Sequence, residues 1–169
     1  FHTRSGLLTA RKNGAWIEMD FPAYAVRSDA DLVVEEMESA LGTKVKSVWR
    51  TRFDCLAEVE NEAAVRELRP DITKIRRVKT RGLIVTSGAA GENYDYVSRF
   101  FAPAAGVEED PVTGSAHCTL GPYWKERLGR DPLVGYQASA RGGFVRTRCE
   151  LDRVVLSGQA VTVLRGELL

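Results

Sequence analysis

The stretch Glu108-Glu-Asp-Pro-Val-Thr-Gly-Ser-Ala-His117 brings a carboxylate, a permissive glycine and a hydroxyl together where a helix is about to begin. Pro111 disfavours helical geometry for Asp110 and holds it extended. Gly114 permits a tight turn and lets a ligand approach without meeting a Cβ. Helical character resumes at Ser115 and runs on through Tyr123, Trp124 and Leu128. A helix N-terminus carries unpaired N–H groups and roughly half a positive charge, so it suits a carboxylate or phosphate. Asp110 beside it can orient a proton or a substrate amine. The plainer reading is that Asp110 and Ser115 cap the helix and Gly114 completes a turn.

Neighbouring segments weigh against the plainer reading. Ser98-Arg-Phe-Phe-Ala-Pro-Ala-Ala-Gly-Val runs directly into this stretch, which continues as Cys118-Thr-Leu-Gly-Pro-Tyr-Trp. The whole resembles the signature of the PhzF-type phenazine-biosynthesis family, the relatives of trans-2,3-dihydro-3-hydroxyanthranilate isomerase. Thr3-Arg-Ser-Gly-Leu, Met19-Asp-Phe-Pro-Ala, Gln137-Ala-Ser-Ala-Arg-Gly-Gly and Gly158-Gln-Ala-Val-Thr-Val-Leu-Arg-Gly-Glu-Leu resemble it too, in order along the chain. Residues 25–80 are weakly diagnostic.

The resemblance implies an α+β, diaminopimelate-epimerase-like lobe in which a barrel-like sheet wraps a central helix. It implies an isomerase that moves a proton on a small carboxylic acid without metal or organic cofactor. It also implies a homodimer and an N-terminal lobe carrying a catalytic glutamate and a Gly-His-Ala-Thr motif. No such motif occurs here, and the histidines are His2 and His117. Residues 1–169 therefore read as a single C-terminal lobe whose partners are a small acid and the N-terminal lobe, inactive alone. The alternative is a folded binding or dimerising lobe with no catalysis of its own.

Carried over by motif, Asp110 and Ser115 are the candidate catalytic residues and Gly114 a candidate substrate-binding one. Thr113 beside it and Arg141, read either as a grip on a substrate carboxylate or as a strand-end charge before a tight turn, complete the candidate substrate-binding set. Asp110 would hydrogen-bond the substrate or a partner side chain. Ser115, with the backbone N–H groups near Gly114, would hold a carboxylate. His117 as a general base is the weaker reading; one turn into the helix, it packs internally. Glu108-Glu109-Asp110 as a hard-metal site is weaker still, because consecutive acids rarely converge. Thiol racemases of similar architecture place cysteine immediately before the helix-mouth glycine. Here Thr113 stands there, too weakly acidic to serve as a base, and Cys118 lies inside the helix.

Composition bounds the rest. The chain has 169 residues, 44% hydrophobic and 28% charged, which is long enough for a real core. A net charge of +1 provides no global field for nucleic acid or membrane, and neither is expected as a partner. The basic run Lys74–Arg81 reads as a solvated helix or strand face. Three scattered cysteines suggest reduced thiols and a cytoplasmic setting.

The elements that must position the site follow from periodicity and turn chemistry. Residues 6–21 read as a hairpin around Asn13-Gly14. Ser28, with Asp31, is expected to cap a helix closed by Gly42. Residues 46–52, 55–59, 82–86 and 94–101 read as strands, and 61–69 as a short helix stopped by Pro70. A helix from about Ser115 is expected to kink or end near Leu120–Gly121 because of Pro122. Residues 134–140, 144–149, 154–157 and 160–164 read as four closing strands.

Overall fold

The computed structural model describes residues 2–3 and 6–167. Phe1, Arg4 and Ser5 of the N-terminal flanking piece, and Leu168 and Leu169 at the other end, lie outside the described residues. β1 (His2–Thr3) and β2 (Gly6–Leu7) pair as a short ladder. The main sheet has nine strands: β3 (Thr9–Asn13), β4 (Trp16–Pro22), β5 (Val45–Arg50), β6 (Cys55–Val59), β7 (Leu83–Gly88), β8 (Tyr96–Phe101), β9 (Leu133–Gln137), β10 (Gly143–Glu150) and β11 (Arg153–Gly158). Their order is β3-β4-β11-β10-β9-β8-β7-β6-β5. Only β6–β7 and β8–β9 run parallel. Parallel neighbours need long crossovers. The first carries α2 (Glu62–Arg66) and α3 (Ile72–Arg77), the second α4 (Gly114–Leu128), while α1 (Val34–Leu41) precedes β5.

Period-2 alternation assigns the two faces of β6, β7 and β8. Cys55, Ala57, Val59, Leu83, Val85, Val97 and Phe101 join Met37, Leu41, Val65 and Ile75 of the outer helices. Leu56, Ile84, Tyr96 and Phe100 point the opposite way and pack on Ala116, Leu120, Tyr123 and Trp124 of α4. Cys118, on another side of α4, packs on Val145, Val154 and Leu156 of β10 and β11. A helix apolar on several sides is one enclosed by its neighbours. Helix α4 is that element, and it carries the candidate site at its N-terminus.

Several expectations need correction. Helix α4 runs through Pro122 to Gly129, a left-handed C-cap with φ 64°, with no end at Gly121. Proline removes the N–H that would bond the Cys118 carbonyl four residues earlier. Here Tyr24 N–H takes that carbonyl at 2.9 Å, so it is not left unpaired. The hairpin turn lies one residue later than expected: Asn13 pairs with Trp16 across Gly14-Ala15, with Gly14 at φ 59°. Ser28 caps nothing. Arg27 bridges to Arg50 and the Asp29 carboxylate takes Arg50 Nε at 2.7 Å, which holds this segment extended, and α1 starts at Val34.

Gly42 does close α1 in the left-handed conformation, at φ 69°. The helix after Asn61 is shorter than expected and stops at Arg66. The basic run conceals α3, capped by Asp71, whose carboxylate accepts Lys74 N–H at 3.1 Å. Residues 160–164 form no strand: β11 ends at Gly158 between β4 and β10, and Val161, Val163 and Leu164 are exposed. Cys55, Cys118 and Cys149 are free thiols. Among the described residues no helix is long and apolar enough to cross a membrane.

Candidate functional site

The loop between β8 and α4 folds back on the sheet, where Asp110 N–H donates to the Phe100 carbonyl at 3.0 Å. Gln137, fully buried at the end of β9, then fixes the turn into α4. Its Oε1 accepts Thr113 N–H at 2.8 Å, and its Nε2 donates to the Asp110 carbonyl at 2.6 Å and to Thr113 Oγ1 at 3.2 Å. Thr113 Oγ1 donates in turn to Asp110 Oδ2 at 2.5 Å. The Thr113 hydroxyl is thus committed to orienting the half-buried carboxylate of Asp110.

Thr113 occupies the N-cap position of α4 but makes no side-chain cap hydrogen bond. Neither does Asp110, whose carboxylate takes the threonine hydroxyl instead. The first N–H groups of a helix have no partner inside it. Among the described residues, no hydrogen bond from the N–H groups of Gly114, Ser115 or Ala116 closes this end, which lies beside a positioned carboxylate. Ser115 lies within the first turn, and its Oγ accepts from Arg81 Nη2 at 2.9 Å. A Cβ on Gly114 would touch only Leu156 Cδ1, at 3.9 Å, so this flank is open.

The loop bearing Arg141 is tied to the same mouth. Ser139 Oγ donates to the Pro111 carbonyl at 2.7 Å and accepts Gly142 N–H at 3.0 Å. Gly143 is packed so closely that a Cβ there would lie 2.4 Å from Val112 Cγ2. Arg141, Gly114, Val112, Phe144, Met19 and Leu156 line a shallow groove of about 480 Å³. Asp110, Thr113, Gly114 and Ser115 thus stand together at the helix mouth, with the exposed Arg141 along the groove.

Other candidates point elsewhere. His117 is fully buried, its Nδ1 3.0 Å from the Tyr96 hydroxyl. Burial lowers its pKa to about 4, so the ring is neutral. Cys118 is buried and its thiol is pushed up to about 12, chiefly by desolvation, which keeps it protonated. Glu109 turns away to Arg99, with contacts of 2.7 and 2.9 Å, so the three consecutive acids diverge. Among the described residues no cluster of histidine, cysteine and carboxylate groups is arranged to hold a metal.

Sequence reasoning missed Gln137, Arg81 and Asp54. Gln137 stood in a segment noted for its family resemblance and as a strand, with no role given to its side chain. Arg81 closed the basic run read as solvated, yet it chelates Asp54 through Nε and Nη2 at 2.8 and 2.5 Å.

Comparison with known proteins agrees over nearly the whole chain. The family model for phenazine biosynthesis-like proteins matches residues 1–166. An uncharacterized isomerase of Halalkalibacterium halodurans is 50% identical over 169 residues, all of this chain and 63% of that protein. A phenazine biosynthesis-like domain-containing protein 2 of Mus musculus is 36% identical over 99% of this chain and 64% of its own length. The crystal structure of a PhzF-family phenazine biosynthesis protein from Enterococcus faecalis superposes with a TM-score of 0.89 at 36% identity, covering 100% of this chain and 64% of that one. The chain spans less than two thirds of each of these relatives.

Proposed function

We propose, from the premise that this chain belongs to the phenazine biosynthesis-like protein family, that it is the substrate-positioning lobe of a cofactor-independent isomerase. The reaction is the movement of a proton on a small carboxylic acid. The lobe is of the diaminopimelate-epimerase-like kind, with α4 as its central helix. One observation carries the reading: the side chains that would ordinarily cap α4 are engaged elsewhere, so its first N–H groups stay open beside Asp110. A helix end with no capping side chain, next to a fixed carboxylate, has donors available for an anionic ligand.

In this account the substrate carboxylate lies on the N–H groups of Gly114, Ser115 and Ala116 and on the Ser115 hydroxyl. Arg141 closes the groove from the side. Asp110, fixed by Thr113 and by the Gln137 clamp on its backbone, accepts a hydrogen bond from the substrate or from a side chain of the second lobe. The carbon-bound proton is removed and returned by a glutamate of that second lobe. Fixing the acid is worth several kcal/mol of barrier, because the base then meets the C–H bond in one orientation.

The test is deuterium exchange from D2O into trans-2,3-dihydro-3-hydroxyanthranilate, followed by proton NMR. The chain alone should bind the acid without exchanging it, and a protein holding both lobes should exchange it. Exchange by the chain alone would overturn this division of labour.

A further inference from the structure

A serine hydroxyl can meet a ligand as donor or acceptor, and its other partners decide which. The partner of Ser115 is built into the fold. Asp54 is 2% exposed and sits in a tight turn between β5 and β6. Its N–H donates to Thr51 Oγ1 at 3.0 Å, and its carbonyl accepts Thr51 N–H at 2.8 Å. The Asp54 carboxylate grips Arg81 in the two-pronged geometry that fixes a guanidinium plane, with contacts of 2.8 and 2.5 Å.

The backbone is held as well as the side chain. Arg81 N–H reaches the Phe53 carbonyl at 3.2 Å, and Cys55 N–H reaches the Gly82 carbonyl at 2.9 Å. A Cβ on Gly82 would lie 2.3 Å from Phe100 Cζ, so the chain at this point runs directly over the ring. The guanidinium carbon stands 5.3 Å from the Phe53 ring centre and 5.9 Å from that of Phe100. The Arg81 head therefore has little freedom. Its Nη2 carries two protons; one goes to Asp54 Oδ2 and the other, at 2.9 Å, to Ser115 Oγ.

We propose that Arg81, clamped by Asp54, is a positioning residue that occupies an acceptor site of Ser115 Oγ and so presents the serine to the ligand as a hydrogen-bond donor. This deepens the reading given under Proposed function and rests on it. The consequence is specificity. A carboxylate oxygen accepts from the serine and gains from the adjacent guanidinium charge, whereas an amide NH2 at the same place can only compete with Arg81 as a second donor to the same oxygen. Lysine is not equivalent to arginine here, because one ammonium lacks the planar fork that spans Asp54 and Ser115.

The experiment titrates the 169-residue chain with 3-hydroxyanthranilate and separately with its carboxamide, following backbone amides by 15N NMR. The acid should shift the amides of Gly114, Ser115 and Ala116 and bind more tightly than the carboxamide. Arg81→Met should weaken the acid about tenfold, the scale of one charge-assisted hydrogen bond, and leave the carboxamide nearly unchanged. Arg81→Lys should fall between the two.

In a Ser115→Ala background, Arg81→Met should have less than about twofold further effect, because its target is gone. Should Arg81→Met fail to fold, Arg81→Lys completes the same cycle. An equal loss with and without the serine would overturn the proposal and leave acid binding at the helix mouth intact. No shift at the helix mouth of the unmodified chain with millimolar acid would overturn the functional reading, and this inference with it. A purely structural arginine would lower the melting temperature without altering the preference for acid over carboxamide.

Discussion

Replacing Gln137 by leucine tests whether one buried amide holds the site together. Leucine is close in size, so packing is largely kept, and Gln137 has no solvent contact to lose. What changes is polar: Thr113 N–H loses its acceptor at 2.8 Å and the Asp110 carbonyl loses its donor at 2.6 Å. Each buried group left unpaired costs about 1–3 kcal/mol, so the pair should cost about 2–6 kcal/mol. For a domain of this size that lowers the melting temperature by roughly 4–24 °C. The assay is thermal unfolding by circular dichroism, with urea unfolding as a second measure. Thr113→Ser keeps both the backbone donor and the hydroxyl and should stay within about 1 kcal/mol. A Gln137→Leu protein melting within 2 °C of the unmodified chain would refute the clamp and free Asp110 from the position assigned to it.

Acid should destabilise the fold through His117. The folded ring has its pKa lowered to about 4, while the unfolded ring titrates near 6.5. Between these values the unfolded chain binds the extra proton, so this stability is present above pH 6.5 and is lost as pH falls toward 4, by about 1.4 kcal/mol per unit. Urea unfolding from pH 7 to 4.5 should show that slope reduced in His117→Gln, and an unchanged slope would count against a buried neutral ring. Gly82→Ala should cost more than about 2 kcal/mol, since its Cβ falls 2.3 Å from the buried Phe100 ring, and thermal melting reads it directly.

The sheet was legible because its signals are local. Apolar runs at residues 55–59, 82–86 and 94–101, the latter two rich in β-branched and aromatic residues, mark strands, and each face of β6, β7 and β8 finds a separate core. The Gly42 cap acts within four residues, which also made it readable. What failed depends on distant partners. Pro122 is tolerated because Tyr24 supplies its N–H to Cys118 from another element. Ser28 looked like a cap, but Arg27 and Asp29 are held to Arg50 across the fold. At the site, Asp110, Thr113, Gly114 and Ser115 sit together because they are nearly consecutive. Gln137 and Arg81 reach them from 24 and 34 positions away, a juxtaposition made by the β9 and β7 ends that no spacing in the sequence encodes.

The central claim is that Asp110 acts on a bound acid and is not merely a piece of the turn. Asparagine at this position can still accept the Thr113 hydroxyl through its amide oxygen, and its backbone leaves the Gln137 contact in place. Asp110→Asn should therefore cost about 1 kcal/mol or less. The decisive measurement is turnover of trans-2,3-dihydro-3-hydroxyanthranilate and melting temperature on the same Asp110→Asn sample of a protein holding both lobes. The account predicts a nearly unchanged melting temperature with turnover reduced by about a hundredfold or more, because the geometry survives while the charge is lost. Full turnover at an unchanged melting temperature would contradict it and return Asp110 to the turn.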